Sequence, residues 1–224
     1  MKQLRTYILL IALSCLFHEA RAQFVVAKVG GGLASAYGSV RAVGAYKAGV
    51  AYEYEIGGNW SLEGGLFYNG KGYKEKDKTV SIFDDAGVPV LDDNGNQRTG
   101  KMNRTVNAQY ISLPVVFHYY CELTPQKYLV FTAGPYAAYG VGGKDKTKGD
   151  ASLSDYKRYY SDRNTFSVSG TKRFDLGLEV GLGYQWTQAL TVAAEADFGM
   201  LRMRPSRRNL SAMLTLSYRF RTDE

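Results

Sequence analysis

His118 is the only histidine after residue 22, and alternation along an extended segment places it on one face with Tyr110 and Ser112. An imidazole beside a hydroxyl suggests nucleophilic hydrolysis, in which the ring takes the hydroxyl proton while an acid orients the ring. That chemistry requires mutual hydrogen-bond geometry, which spacing does not supply. A histidine satisfied by polar neighbours is the simpler reading of His118.

Three other patterns invite a chemical reading. Asp84-Asp85-Ala86-Gly87 and Asp92-Asp93-Asn94-Gly95 bring carboxylates close together, but their spacing lacks the pattern of oxygen ligands, glycine and final glutamate that an EF-hand calcium loop requires. Asp-Gly and Asn-Gly neighbourhoods make turns, so a hairpin is expected with residues 79–83 and 88–91 as its arms. Gly30-Gly31-Gly32 lacks the Lys-Ser/Thr ending of a phosphate loop and fits a curved sheet better. Lys144 to Lys148, with Arg158 and Arg163, could touch lipopolysaccharide phosphates, although a solvated loop accounts for them more simply. We therefore assign no catalytic, cofactor-binding or metal-ligating residue, expect no cofactor, and read the chain as a non-enzyme.

The elements that would position these residues are strands. From Leu210 to Phe220 every second residue is apolar, with Ser211, Ser217 and Arg219 among those between. A period of two marks a strand whose faces meet different solvents. The pattern predicts eight strands, at 24–33, 45–56, 60–73, 106–120, 128–141, 172–186, 190–203 and 209–221. Their apolar face carries no charge, which asks for lipid outside and a polar interior. No segment after residue 22 approaches 18 consecutive apolar residues, so helical spans are excluded. A membrane protein without them must be a closed barrel, because lipid leaves free backbone groups unsatisfied.

Residues 1–22 read as a secretory signal peptide, with basic Lys2 and Arg5, an apolar stretch at 7–17 and Ala20-Arg21-Ala22 as the cleavage signal. Residues 23–224 then form one barrel domain. Taking Lys2, Arg5 and Arg21 from 28 basic residues and Glu19 from 21 acidic ones leaves 25 and 20, a net charge of +5. Those charges are interspersed rather than gathered into a basic stripe, so nucleic acid is not an expected partner. Cys121 alone remains, and no internal disulfide can form.

Connections alternate between short (57–59, 121–127, 187–189) and long (75–105, 142–171). Outer-membrane barrels have short periplasmic turns and long external loops, so both termini are expected in the periplasm. Tyr54, Trp60, Tyr119, Tyr184, Trp186, Tyr218 and Phe220 cluster near the short-turn end as an interfacial belt. The opposite face holds Lys28, Lys47, Glu53, Glu55, Glu63, Lys71, His118, Arg173, Asp175, Glu179, Glu195, Asp197 and Arg219, with glycines between them. Eight strands enclose an interior that side chains fill, so a plugged lumen is expected, with Arg173 and Arg219 meeting carboxylates such as Glu179, Glu195 or Asp197. A soluble barrel would invert the faces, but it would crowd Trp60, Phe117, Phe131 and Trp186 into that small interior. Pro114 and Pro135 cannot donate to the ladder, and bulges or altered register are predicted at both.

Tyr110-Ile111-Ser112-Leu113-Pro114-Val115, Ala133-Gly134-Pro135-Tyr136, Phe174-Asp175-Leu176-Gly177-Leu178, Gly181-Leu182-Gly183-Tyr184 and Asp197-Phe198-Gly199 together resemble the PorT-like outer-membrane β-barrel family over nearly all of residues 23–224. The resemblance implies an integral outer-membrane barrel of a Gram-negative bacterium and makes the two prolines expected features. Its namesake is associated with protein secretion; no functional residue carries over. The expected role is structural or surface-interacting, with an accessory part in secretion or envelope assembly as the alternative. Expected partners are outer-membrane lipid, the barrel-assembly machinery during biogenesis and, for the alternative, a secretion or envelope protein; a monomer is expected.

Overall fold

A computed structural model describes residues 23–38, 40–84, 86–149 and 160–221. The signal peptide expected at 1–22 and Arg158 lie outside the described residues. Twelve strands are described: β1 (Gln23–Ala36), β2 (Val40–Arg41), β3 (Val43–Gly57), β4 (Trp60–Glu75), β5 (Lys78–Ser81), β6 (Thr99–Thr124), β7 (Lys127–Gly142), β8 (Lys144–Gly149), β9 (Tyr160–Asn164), β10 (Phe174–Gln185), β11 (Leu190–Arg204) and β12 (Arg207–Arg221). Eight of them form a closed antiparallel ring. The order β1-β3-β4-β6-β7-β10-β11-β12 returns to β1 through thirteen paired positions, from Phe24 opposite Arg221 to Ala36 opposite Asn209. Closure satisfies the backbone of both would-be edges.

Period-two alternation decides which side chain goes where. Along β12, Ser211, Met213, Thr215 and Ser217 are buried, while Ala212, Leu214, Leu216 and Tyr218 are exposed. Leu214 is 68% exposed and Trp186 64%. Such values would be unfavourable in water at roughly 25 cal/mol per Å² of apolar surface and are natural for a wall facing hydrocarbon. Glycine lets strands close tightly on the inner side. A Cβ at Gly32 would sit 2.1 Å from the Ala212 carbonyl oxygen, and one at Gly49 2.2 Å from that of Leu66.

At one end β3 turns into β4 through Gly58-Asn59, with Gly58 at φ +59°, and β6 into β7 through Pro125-Gln126, with Gln126 at φ +67°. The segment 121–127, expected as a loop, is mostly strand, since β6 pairs on to Thr124. The other end carries the long connections, together with the shorter join of β1 to β3 across 37–42 and the tight join of β11 to β12 through Pro205-Ser206. The long connections build further sheet. β6 runs for 26 residues, and β5 and β8 pair with its first residues while β9 pairs with β8. Two stacked turns follow β5, bridging Phe83 to Pro89 and Leu91 to Gln97. The sequence reading underestimated this extension because polar strands in water lack a greasy face to mark their period.

The prolines produce no bulges. Register runs unchanged past both: β4 and β6 skip the pairing of 65–66 with 113–114, and β6 and β7 skip that of 115–116 with 134–135. The missing donor leaves a local gap, and the ladder resumes because the surrounding inward and outward faces must keep their sides. Register shifts occur elsewhere, between Gln109 and Tyr110, between Glu122 and Thr124, and between Phe198 and Arg204.

Candidate functional site

The lumen collects the polar side chains in layers. Near the short-turn end, Glu53 accepts hydrogen bonds from Ser61 and Tyr120, each at 2.5 Å, and its other oxygen lies 3.0 Å from Arg219 Nε. Above it Lys28 Nζ sits 2.9 Å from Glu63 and 3.2 Å from Glu195. Lys47 Nζ is 2.8 Å from both Glu179 and Glu195, and Lys71 Nζ is 2.7 Å from Asp197. Apart from the half-buried Arg219, each of these charges is buried, and each is stabilised by opposite charge where loss of a partner would be costly. The ammonium groups of Lys28 and Lys47 also lie 5.6 and 5.0 Å from the centre of the Phe67 ring.

Of the two arginines expected to meet carboxylates, Arg219 does so, though not with the three residues named, and Arg173 does not. Arg219 meets Glu53 and Glu55, because it stands at the mouth below the lysine layers. Arg173 is exposed; it donates to the Gly140 carbonyl at 2.9 Å and stacks over Phe166. Glu179, Glu195 and Asp197 are instead taken by lysines from β1, β3 and β4, across the barrel.

Tyr110, Ser112 and His118 share the inner face but form no reactive unit. The His118 ring is held by Thr132 at 2.8 Å and Glu63 at 3.3 Å. Ser112 accepts from Asn69 at 2.9 Å, and Tyr110 from Asn209 at 3.2 Å. The imidazole therefore joins the ion-pair layers. A cavity of about 20 Å³ remains beside it, lined by Lys28, Glu63, His118 and Thr132 among others. That is room for about one water molecule, not a conduction path.

Sequence reasoning missed the cap over this column. Thr165–Ser167 form a single 3₁₀ turn, with Asn164 accepting the Phe166 N–H at 2.9 Å, and this turn lowers Phe166 into the long-loop mouth. Phe166 packs edge-on against Tyr110 at 5.6 Å between ring centres, in a buried cluster with Tyr73, Val106, Tyr136 and Met203. Gly140 makes room, since a Cβ there would lie 2.0 Å from the Phe166 ring. The glycine was visible in the sequence; its partner, 26 residues away, was not.

Beyond the barrel wall, Arg104 reaches Asp145 at 2.6 and 2.8 Å and Arg204 reaches it at 2.7 Å, tying β6, β8 and β11 together. Burial opposes the charge of Asp145, yet the hydrogen bonds from Arg104 and Arg204 outweigh it and hold the carboxyl below its ordinary range. Asp84 Oδ1 accepts the N–H groups of Ala86 and Val88, and Asp92 Oδ1 those of Asn94 and Asn96. These carboxylates close turns. Lys146 lies 3.8 Å from Asp162.

The profile of the family described as outer membrane protein beta-barrel domain matches residues 34–202. Among solved structures the chain is similar to Ail, the attachment invasion locus protein of Yersinia pestis, at 13% identity and a TM-score of 0.39, over 90% of this chain and 100% of that one. It is similar to Neisserial surface protein A at 13% identity and a TM-score of 0.42, over 91% and 100%. The N-terminal β-barrel domain of OprF from Pseudomonas aeruginosa matches at 13% identity and a TM-score of 0.37, over 89% and 100%. No curated protein matches the chain.

Proposed function

The chain belongs to the outer membrane protein beta-barrel domain family, and from that premise we propose that it is a plugged, non-catalytic barrel whose work is done by the sheet it raises above the membrane. The outer membrane is its location. One observation carries the reading: the lumen is filled by paired charges and capped by Phe166, while β5, β8 and β9 extend β6 into a broad polar surface. A filled lumen leaves that surface as the part able to meet a partner. Short turns at the opposite end support periplasmic termini.

The test is labelling of intact cells. Asn94→Cys in a Cys121→Ser background should react with a membrane-impermeant maleimide, and Gly58→Cys should react only after lysis. The reverse pattern overturns the orientation. Crosslinking from the extended sheet distinguishes a surface role from an accessory part in secretion or envelope assembly, in line with the PorT-like resemblance. A stoichiometric secretion component would select the latter.

A further inference from the structure

The junction of β11 and β12 sets arginines face to face: Arg202 opposite Arg208, and Arg204 opposite Arg207. Like charges directly opposite destabilise a ladder. The second pair points inward and is satisfied, Arg204 by Asp145 at 2.7 Å and Arg207 by the Tyr37 carbonyl at 3.2 Å. The first pair is exposed and meets no acidic side chain among the described residues.

Arg208 continues the outward column of β12 that holds Ala212, Leu214 and Leu216, so the pair crowns the hydrocarbon-facing wall, and Arg202, inside the strand expected at 190–203, departs from the expectation that this face carries no charge. The same wall carries a groove. Gly31, Ala194, Ala196 and Ala212 present almost no side chain outward, and Leu182 and Leu214 rise beside them. Ala212 lies four residues from Arg208 along β12, on the order of 13 Å at strand rise, a distance an acyl chain spans.

We propose that Arg202, Arg208 and this groove form a site for a phosphorylated lipid, the two guanidinium groups gripping its phosphate and one acyl chain lying over the alanines. Guanidinium N–H groups match phosphate oxygens in pairs, and a bound dianion would remove the repulsion across the ladder. The groove selects a lipid over free phosphate. The site rests on the membrane reading above; with the long connections outward, its lipid is a phosphorylated glycolipid of the outer leaflet.

Native mass spectrometry of the full barrel in detergent tests this with diphosphorylated lipid A, its dephosphorylated form and inorganic phosphate. One phosphorylated lipid should be retained. R202Q/R208Q should lower retention at least tenfold, R202K/R208K should keep most of it, and Ala212→Phe should weaken lipid binding without affecting phosphate. Undiminished retention by the double glutamine variant overturns the proposal, as does equal retention of the dephosphorylated lipid. Displacement of lipid by inorganic phosphate, with no effect of Ala212→Phe, overturns it in favour of a free-anion site. Heat-modifiable migration of each variant on a gel reports folding separately, so a failed barrel is distinguished from a failed site.

Discussion

Lys47 shows how a single charge holds the lumen together. It is almost fully buried, with Glu179 and Glu195 both 2.8 Å from its ammonium nitrogen. Lys47→Met would leave two carboxylates without it in a medium of low dielectric, a loss expected to cost ~3–5 kcal/mol. Urea unfolding in lipid vesicles should show it as a lower midpoint. His118→Ala has a different expectation: the ring bridges the buried Thr132 and Glu63 beside a cavity of about 20 Å³, which has no room for a lipid substrate. Lipid A and phospholipid composition should be unchanged while stability falls; an altered lipid profile would restore a catalytic role. At this scale the sequence showed which residues point inward, Arg173 excepted, but not which of them meet. Alternation assigns a face, whereas the partner of Lys47 comes from strands more than 130 residues away.

Strands in this protein are placed by contact between backbones as much as by side-chain polarity. Gly32 and Gly44 look alike in sequence, yet a Cβ at Gly32 meets the Ala212 carbonyl oxygen at 2.1 Å and one at Gly44 meets nothing within 4 Å. Gly32→Val should therefore fail to give a heat-modifiable folded form, while Gly44→Ala should assemble normally. The strand extension held by Asp145 has its own pH dependence. Its folded carboxyl titrates below the ordinary value of 3.8, so the anchorage is complete above that value and is lost as pH falls through the lowered one. A spin label at Lys148→Cys, with Cys121→Ser, should gain mobility in that acid window; with Asp145→Asn it should be mobile at every pH. Element boundaries on the barrel wall were legible because hydrocarbon enforces alternation. Beyond it, β5, β8 and β9 lie among water-facing residues, where either face can be polar and the period fades.

For the molecule as a whole, the fit between lumen contents and ring size forecasts a closed interior. Reconstituted in planar bilayers, the barrel should show no stepwise conductance, since the residual space beside His118 is about 20 Å³. Labels at Leu178 and Leu214 should report lipid, and labels at Glu179 and Thr215 a protein interior, in agreement with their burial. The sequence by itself determined the eight membrane strands, the sidedness of each, the end that bears short turns and the polar character of the lumen, because all of these follow from the local period of apolar residues and turn chemistry. Tertiary structure alone decided which lysine meets which glutamate, that Phe166 caps the mouth, that both prolines leave register intact, and that Arg202 faces Arg208. Those facts depend on ring closure and on the stagger between strands, which join residues that no local pattern relates.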